Sequence, residues 1–419
     1  MHSGSFIFPV PNICLMIEIL TGTLLGVVLG TVSGLLPGIH ANTLAGVLLS
    51  LEVILLPVIG PGALAATMFA ALITHTFVDS IPSTFLGIPD ADTALAVLPA
   101  HALCLEGHGE EAVRIAALGS ACAMIFSVPL ALACYVLLPA LQPVFDWGIG
   151  LVLVAVIGYM IVTSESPGWA LALFGVSGML GIFTLRYGFL GWHVIGGGNA
   201  VLMPLLTGLF GISVLLTAAQ GNVPVQAFAG ISMDERSVVK GSVLGTLAGV
   251  AVGWLPGLSN ATANGLLASV AGYEKDRRTY ILATSAANTA NAFIGLAALF
   301  ALSRMRNGVM VALSALTLPP LHALFTAGVL AACAAYAITV VLARFAHRLG
   351  GVEGKWLHGS VIAFVVAVCL LLTGPFGGLV LLLATLAGLV PYLVNVPRMY
   401  CIGSVMIPVM LYSFGIGWF

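Results

Sequence analysis

Gly34-Leu35-Leu36-Pro37-Gly38-Ile39-His40-Ala41-Asn42-Thr43 sets a Pro-Gly break and a run of small polar residues between two long apolar segments. The stretch recurs. Gly253-Trp254-Leu255-Pro256-Gly257-Leu258-Ser259-Asn260-Ala261-Thr262 aligns with it without gaps at a shift of 219 positions, and Gly46, Leu48 and Ser50 carry the match on to Gly265, Leu267 and Ser269. A break of this kind inside a membrane helix frees backbone N–H and C=O groups, and a half-helix that starts after it points its N–H groups and positive dipole end into the gap. His40, Asn42 and Thr43 follow Pro37-Gly38, while Ser259, Asn260, Thr262 and Asn264 follow Pro256-Gly257. A lone Pro-Gly is more often a kink held by neighbouring helices; two copies, both with polar followers, predict an anion site between two repeated halves.

Composition fixes the solvent. Of 419 residues 60% are hydrophobic and 7% charged, where a soluble domain carries about a quarter charged, and the mean hydropathy is +1.15. The apolar runs are near the length of about 20 residues that crosses a hydrocarbon core as a helix, and no ten-residue alternation of a lipid-facing barrel occurs. The expected fold is an all-α, multi-pass protein of the cell membrane with about 11–13 membrane segments, some broken or re-entrant, in two inverted repeats. No cleavable signal precedes the first run, which is expected to remain as a span. The seven cysteines are odd in number, form no C-x-x-C pair and read as small core hydrophobes, so no redox, zinc or other cofactor is implied. A net charge of −2 favours neither nucleic acid nor an anionic lipid surface.

Along the chain, residues 12–36, 41–59 and 61–80 are predicted spans, the last two parted by Gly60-Pro61-Gly62. Further spans are expected at 115–140, 148–163, 168–185 and 200–219. The longest polar linker, 220–240, separates a first membrane repeat, 1–219, from a second, 241–419. The second contains 279–302, the run 308–343 broken by Pro319-Pro320, and spans at 357–374, 376–394 and 400–418. Basic residues at 274–278 and 344–355 belong on one side of the membrane, so an even number of crossings separates them.

The residues able to carry chemistry are few. Asp79 ends an otherwise uncharged run, and an acid there costs a few kcal/mol on insertion scales unless it is paired, hydrated or protonated. His75 lies one turn earlier on the same face, so the two are predicted to share a proton or to let the carboxylate hold a co-transported sodium ion. Asp90 and Asp92, after Pro89, read equally as ion or substrate contacts and as a helix cap. Ser80 and Ser83 belong to the same polar stretch. In the second half Asn288 and Asn291 fall roughly where His75 to Asp79 fall in the first, at a looser shift of about 212, so neutral amides would answer the carboxylate. Glu18 and Glu52 read as locally hydrogen-bonded residues. No soluble-enzyme motif occurs.

At these residues the chain resembles the large membrane subunit of the tripartite tricarboxylate transporters, the TctA type, above all its archaeal branch. The resemblance is carried by Leu36 to Thr43, by Thr74-His75-Thr76-Phe77-Val78-Asp79-Ser80-Ile81-Pro82-Ser83 and by Phe85-Leu86-Gly87-Ile88-Pro89-Asp90-Ala91-Asp92-Thr93-Ala94-Leu95, continuing to Arg114; the second half matches mainly through Leu255-Pro256-Gly257. It implies secondary transport of a small di- or tricarboxylate on a proton or sodium gradient, with a small membrane subunit and an extracytoplasmic solute-binding protein as partners. No Lys or Arg lies in either Pro-Gly motif, so half-helix dipoles and a co-bound cation must neutralise the anion. Two rivals remain: an intramembrane enzyme using Asp79, Asp90 and Asp92 on a lipid or phosphate substrate, and a passive channel.

Overall fold

The computed structural model describes residues 13–36, 41–87, 94–192, 201–217, 224–254, 260, 263–264, 267, 276–305, 307–346, 348 and 354–416. Among them there are helices and no strands. Eight helices are long and apolar enough to cross a membrane, with shorter apolar pieces at Gly150–Val162 and Pro204–Thr217. The protein is a multi-pass membrane protein. Large side chains such as Val136, Val162 and Met179 point outward, and much of the space between helices is filled by Gly and Ala. Lipid offers Leu and Val a solvent as apolar as the interior, so close backbone packing by small residues holds the bundle instead.

Helix α1 (Ile13–Leu35) shows the device. Gly22, Gly26, Gly30 and Gly34 recur every fourth residue and form one stripe, along which the backbone of α3 (Glu52–Val78) lies too close for any Cβ. Gly22 meets Ala63 and Gly34 meets Val78, so α1 and the second part of α3 run parallel. The chain between them therefore returns across the membrane, as α2 (Ala41–Ser50) and the first turns of α3. The reversal is at Gly60, where φ 81° and ψ 160° break the helix just before Pro61. Glu18 caps the new helix start by accepting a 3.0 Å hydrogen bond from Gly62 N–H. α4 (Ser80–Leu86) extends the descending helix, which ends at Gly87 in the left-handed conformation.

The second half repeats this packing in register. On α10 (Glu235–Trp254) the glycines are 241, 245, 249 and 253, each 219 beyond its counterpart on α1, and they press on α11 (Arg277–Leu302). Their partners keep a different offset: Ala63 becomes Thr279, Thr67 becomes Ala283, Ala71 becomes Ala287 and Val78 becomes Ile294, a shift of 216 throughout. The left-handed helix ends at Gly87 and Ser303 also differ by 216. By the same offset the counterpart of His75 is Asn291 and that of Asp79 is Gly295, where the sequence had offered a looser shift of about 212 for Asn288 and Asn291.

α5 (Ala94–Leu105) leads to α6 (Gly109–Val162), one helix of 54 residues that runs through the break expected between 140 and 148. Its first part lies parallel to α11, with Glu111 at Arg278 and Gly119 at Leu282. α7 (Pro167–Arg186), α8 (Leu202–Leu206) and α9 (Ser213–Thr217) follow, the last two joined by a π-helical turn. After α11 the short α12 (Gly308–Ser314), about 10 Å long, precedes α13 (Leu321–Ala343). Two crossings, α11 and α13, thus separate the basic clusters. α14 (Gly354–Val394) folds back at Gly374 (φ 66°), where Leu370 packs on Gly378, and α15 (Gly403–Ser413) closes the fold.

The helices form two packing groups. One holds α1, α3, the start of α6, α10, α11 and α13; the other holds the end of α6 with α7, α8, α9, α14 and α15. Each group draws helices from both sides of the 220–240 linker. The first group carries the polar interior.

Candidate functional site

Asp79 lies 6% exposed at the junction of α3 and α4. Its position follows from local chemistry: Asp79 N–H donates to the His75 carbonyl, and Ser83 Oγ donates back to the Asp79 carbonyl at 2.8 Å, so the turn stays helical despite Pro82. The carboxylate faces the other half. Asn288 Nδ2 of α11 donates to Asp79 Oδ2 at 3.4 Å, and Asn260 Nδ2 donates to Asn288 Oδ1 at 2.8 Å. Asn288 and Asn260 are 6% and 1% exposed. A buried carboxylate, two amides and two halves of the chain are joined in one line.

Around that line α3 and α11 cross antiparallel. Thr76 and Thr289 share a 3.0 Å hydrogen bond, and Phe69 meets Phe293 edge-on at 5.8 Å further along. His75, buried, shares a 3.1 Å hydrogen bond between its Nδ1 and Ser33 Oγ of α1. Ser120 of α6 donates to the Ser285 carbonyl at 3.3 Å, closing the third side.

Other predicted residues have different places. Asn42 Oδ1 accepts from Val309 N–H at 3.2 Å and so joins the start of α2 to α12 rather than to Asp79. The Ser80 and Ser83 hydroxyls both donate to main-chain carbonyls of their own helical turn, Phe77 and Asp79. Asn264 is buried, and its main-chain carbonyl accepts from Tyr280 Oη at 2.9 Å; Asn291 is half-buried on α11. Pro37, Gly38, His40, Asp90, Asp92, Pro256, Gly257, Ser259 and Thr262 lie outside the described residues, as does the side chain of Thr43.

Sequence reasoning passed over Ser33, Thr76, Thr289 and Glu111. Ser33 lies beside the glycine stripe, and Thr289 sits between two of the asparagines, so proximity to those patterns was the available signal. The polar segment 106–111 hides one buried acid. Glu111 is 2% exposed, accepts from Arg278 Nε and Nη2 at 2.8 and 2.9 Å, and also takes Ser232 N–H at 2.8 Å from the inter-half linker. Among the described residues no three His, Cys, Asp or Glu side chains gather as a metal cage.

A family model described as the tripartite tricarboxylate transporter TctA family matches residues 20–403. The chain belongs to this family. A TctA protein is a transporter component and not an enzyme, which removes the intramembrane-enzyme rival. The chain is 31% identical over 297 residues to the uncharacterized protein MJ1079 of Methanocaldococcus jannaschii, covering 70% of this chain and 72% of that one. That likeness fits an archaeal-type branch of the TctA family. No solved structure matches.

Proposed function

We propose that this TctA chain is the permease of a secondary active transporter for a small di- or tricarboxylate, driven by a cation gradient that acts through Asp79. The observation that carries the reading is the buried line from Asp79 through Asn288 to Asn260. It ties a buried acid of the first half to Asn260, which follows the second Pro-Gly break in the sequence; a helix start at such a break favours a carboxylate.

Two inverted repeats support alternating access. The glycine contacts recur at constant offsets, and the equivalent helices α3 and α11 cross in opposite directions, as inverted repeats require. Arg114, Arg236, Lys240, Arg277 and Arg278 cluster at the starts of the parallel helices α6, α10 and α11. The excess of Lys and Arg in cytoplasmic loops puts that end inside, and α1, parallel to α3, then begins outside. As family partners, a small membrane subunit and an extracytoplasmic solute-binding protein complete the system.

The test is uptake of labelled mono-, di- and tricarboxylates into proteoliposomes with imposed proton or sodium gradients, the chain alone and with its partners. Accumulation against a gradient, lost in Asp79→Asn, is the expected result. Uptake that never exceeds equilibration would mean a channel, and unchanged gradient-driven uptake in Asp79→Asn would remove the acid from coupling.

A further inference from the structure

The line from Asp79 to Asn260 has two unlike ends. A carboxylate only accepts, so Asn288 must present Nδ2 to Asp79; its Oδ1 then takes Asn260 Nδ2, and Asn260 Oδ1 emerges at the far end. That oxygen is buried and has no hydrogen-bond partner among the described residues, on a residue 1% exposed. With Asp79 ionised, the line ends in a bare acceptor on Asn260, three residues after Gly257 in the sequence. An acceptor repels a carboxylate.

Protonation of Asp79 inverts every role. The new Oδ2–H donates to Asn288 Oδ1, Asn288 Nδ2 donates to Asn260 Oδ1, and Asn260 Nδ2 becomes the free end. The only bond made is O–H, to a proton taken from water. Both amides turn about χ2, a broad and roughly two-fold torsion for Asn, and amide O and N are nearly alike in size, so the packing is kept.

We propose that Asp79, Asn288 and Asn260 form a proton-operated amide relay, in which protonation of Asp79 turns the outer end of Asn260 from an acceptor into a donor for the transported carboxylate. This rests on the carboxylate-permease reading and names the proton as its coupling ion. Proton and anion then bind together without touching, because each stabilises the same orientation of the two amides.

Among the described residues Asp79 is the titratable group hydrogen-bonded to the line. His75, on its own helix, is held by Ser33. α2, α4 and α12 carry no charged residue, α1 and α3 carry Glu18 and Glu52 at their far starts, and α13 has His322 in its first turn. The charges Glu110, Glu111, Arg114, Arg277 and Arg278 lie at the starts of α6 and α11, about 15 Å along α11 from Asn288, as do Glu235, Arg236 and Lys240 at the start of α10, while Asp146 belongs to the far part of α6 and His101 of α5 is held by the Thr84 carbonyl at 2.8 Å. His40 is outside the described residues.

The experiment measures citrate binding to the full chain in lipid nanodiscs across the alkaline range in which citrate is fully ionised. Wild type is expected to gain about tenfold in affinity per unit fall in pH, the slope of one linked proton. In Asn288→Leu the slope should flatten while binding persists weakly; Asn260→Ala tests the same point if the first variant does not fold. A wild-type slope in these variants, or wild-type binding that follows sodium and not pH, overturns the relay. A substrate-free arm separates this from failure of the carboxylate reading. In infrared difference spectra between acid and alkaline pH of chain carrying isotope-labelled asparagine, side-chain amide bands should shift in wild type and stay fixed in Asp79→Asn. Bands that do not move in wild type overturn the proposal whatever is transported.

Discussion

Glu111 and Arg278 meet through two charge-assisted hydrogen bonds of 2.8 and 2.9 Å, joining the start of α6 to the start of α11 across the two halves of the chain. Ser232 N–H binds the same carboxylate, and Gln226 bridges Gly109 N–H and the Cys104 carbonyl, so the inter-half linker is strapped over this end as well. Arg114, paired with Glu110, stacks 4.4 Å over the Phe228 ring of the linker.

Removing one partner of a buried pair leaves the other charged and unpaired, at about 3–5 kcal/mol. Arg278 is 28% exposed, which moves the expectation to the low end. Glu111→Gln and Arg278→Met should each cost about 3 kcal/mol, and the double variant less than the sum. Thermal unfolding of the purified chain in detergent reads the cycle; additive costs would show that the pair does not couple the helices.

The repeated glycine stripes predict matched sensitivity. A Cβ at Gly26 or Gly245 collides with the facing helix backbone, at Thr67 or Ala283, whereas one at Gly158 meets open space. Gly26→Ala and Gly245→Ala should each destabilise by about 1–3 kcal/mol. Gly158→Ala should be neutral or stabilise by up to about 1 kcal/mol, since Gly is the poorer helix former. Midpoints of thermal unfolding compare the three.

Glu18 accepts the Gly62 N–H freed at the Gly60 break. Glu18→Gln keeps an acceptor there and should be mild, while Glu18→Ala leaves the N–H unpaired and should cost about 1–3 kcal/mol. Equal effects of Gln and Ala in the same melting assay would show that charge, not the hydrogen bond, matters at this turn.

At the crossing of α3 and α11 the two threonines are unequal. Thr76 Oγ1 also donates to the Ile73 carbonyl, while among the described residues the Thr289 hydroxyl bonds Thr76 alone. Thr76→Val therefore strands a buried hydroxyl and should cost about 1–3 kcal/mol, more than Thr289→Val. The double Val variant should recover part of that loss; if it is worse than Thr76→Val, the pair is not what positions the helices.

Composition and run length by themselves determined that this is a helical membrane protein, since lipid leaves few other ways to satisfy a backbone. Local chemistry placed the turn at Gly60-Pro61 and singled out Asp79, because a proline lacks its N–H and a lone acid in an apolar run is costly wherever it sits. The repeated glycines were also in the sequence. Their partners were not, for the offset between α3 and α11 is 216 while that between α1 and α10 is 219, and only packed backbones reveal it. The continuity of α6 past residue 140 likewise came from packing, as its two ends are held by different groups of helices. Tertiary structure alone decided that Asp79 reaches Asn288 and Asn260, that Asn42 instead meets Val309, and that Glu111 is buried against Arg278. The physical reason is that side-chain partners between helices depend on axial rotation and register, which neither hydropathy nor spacing within one segment encodes.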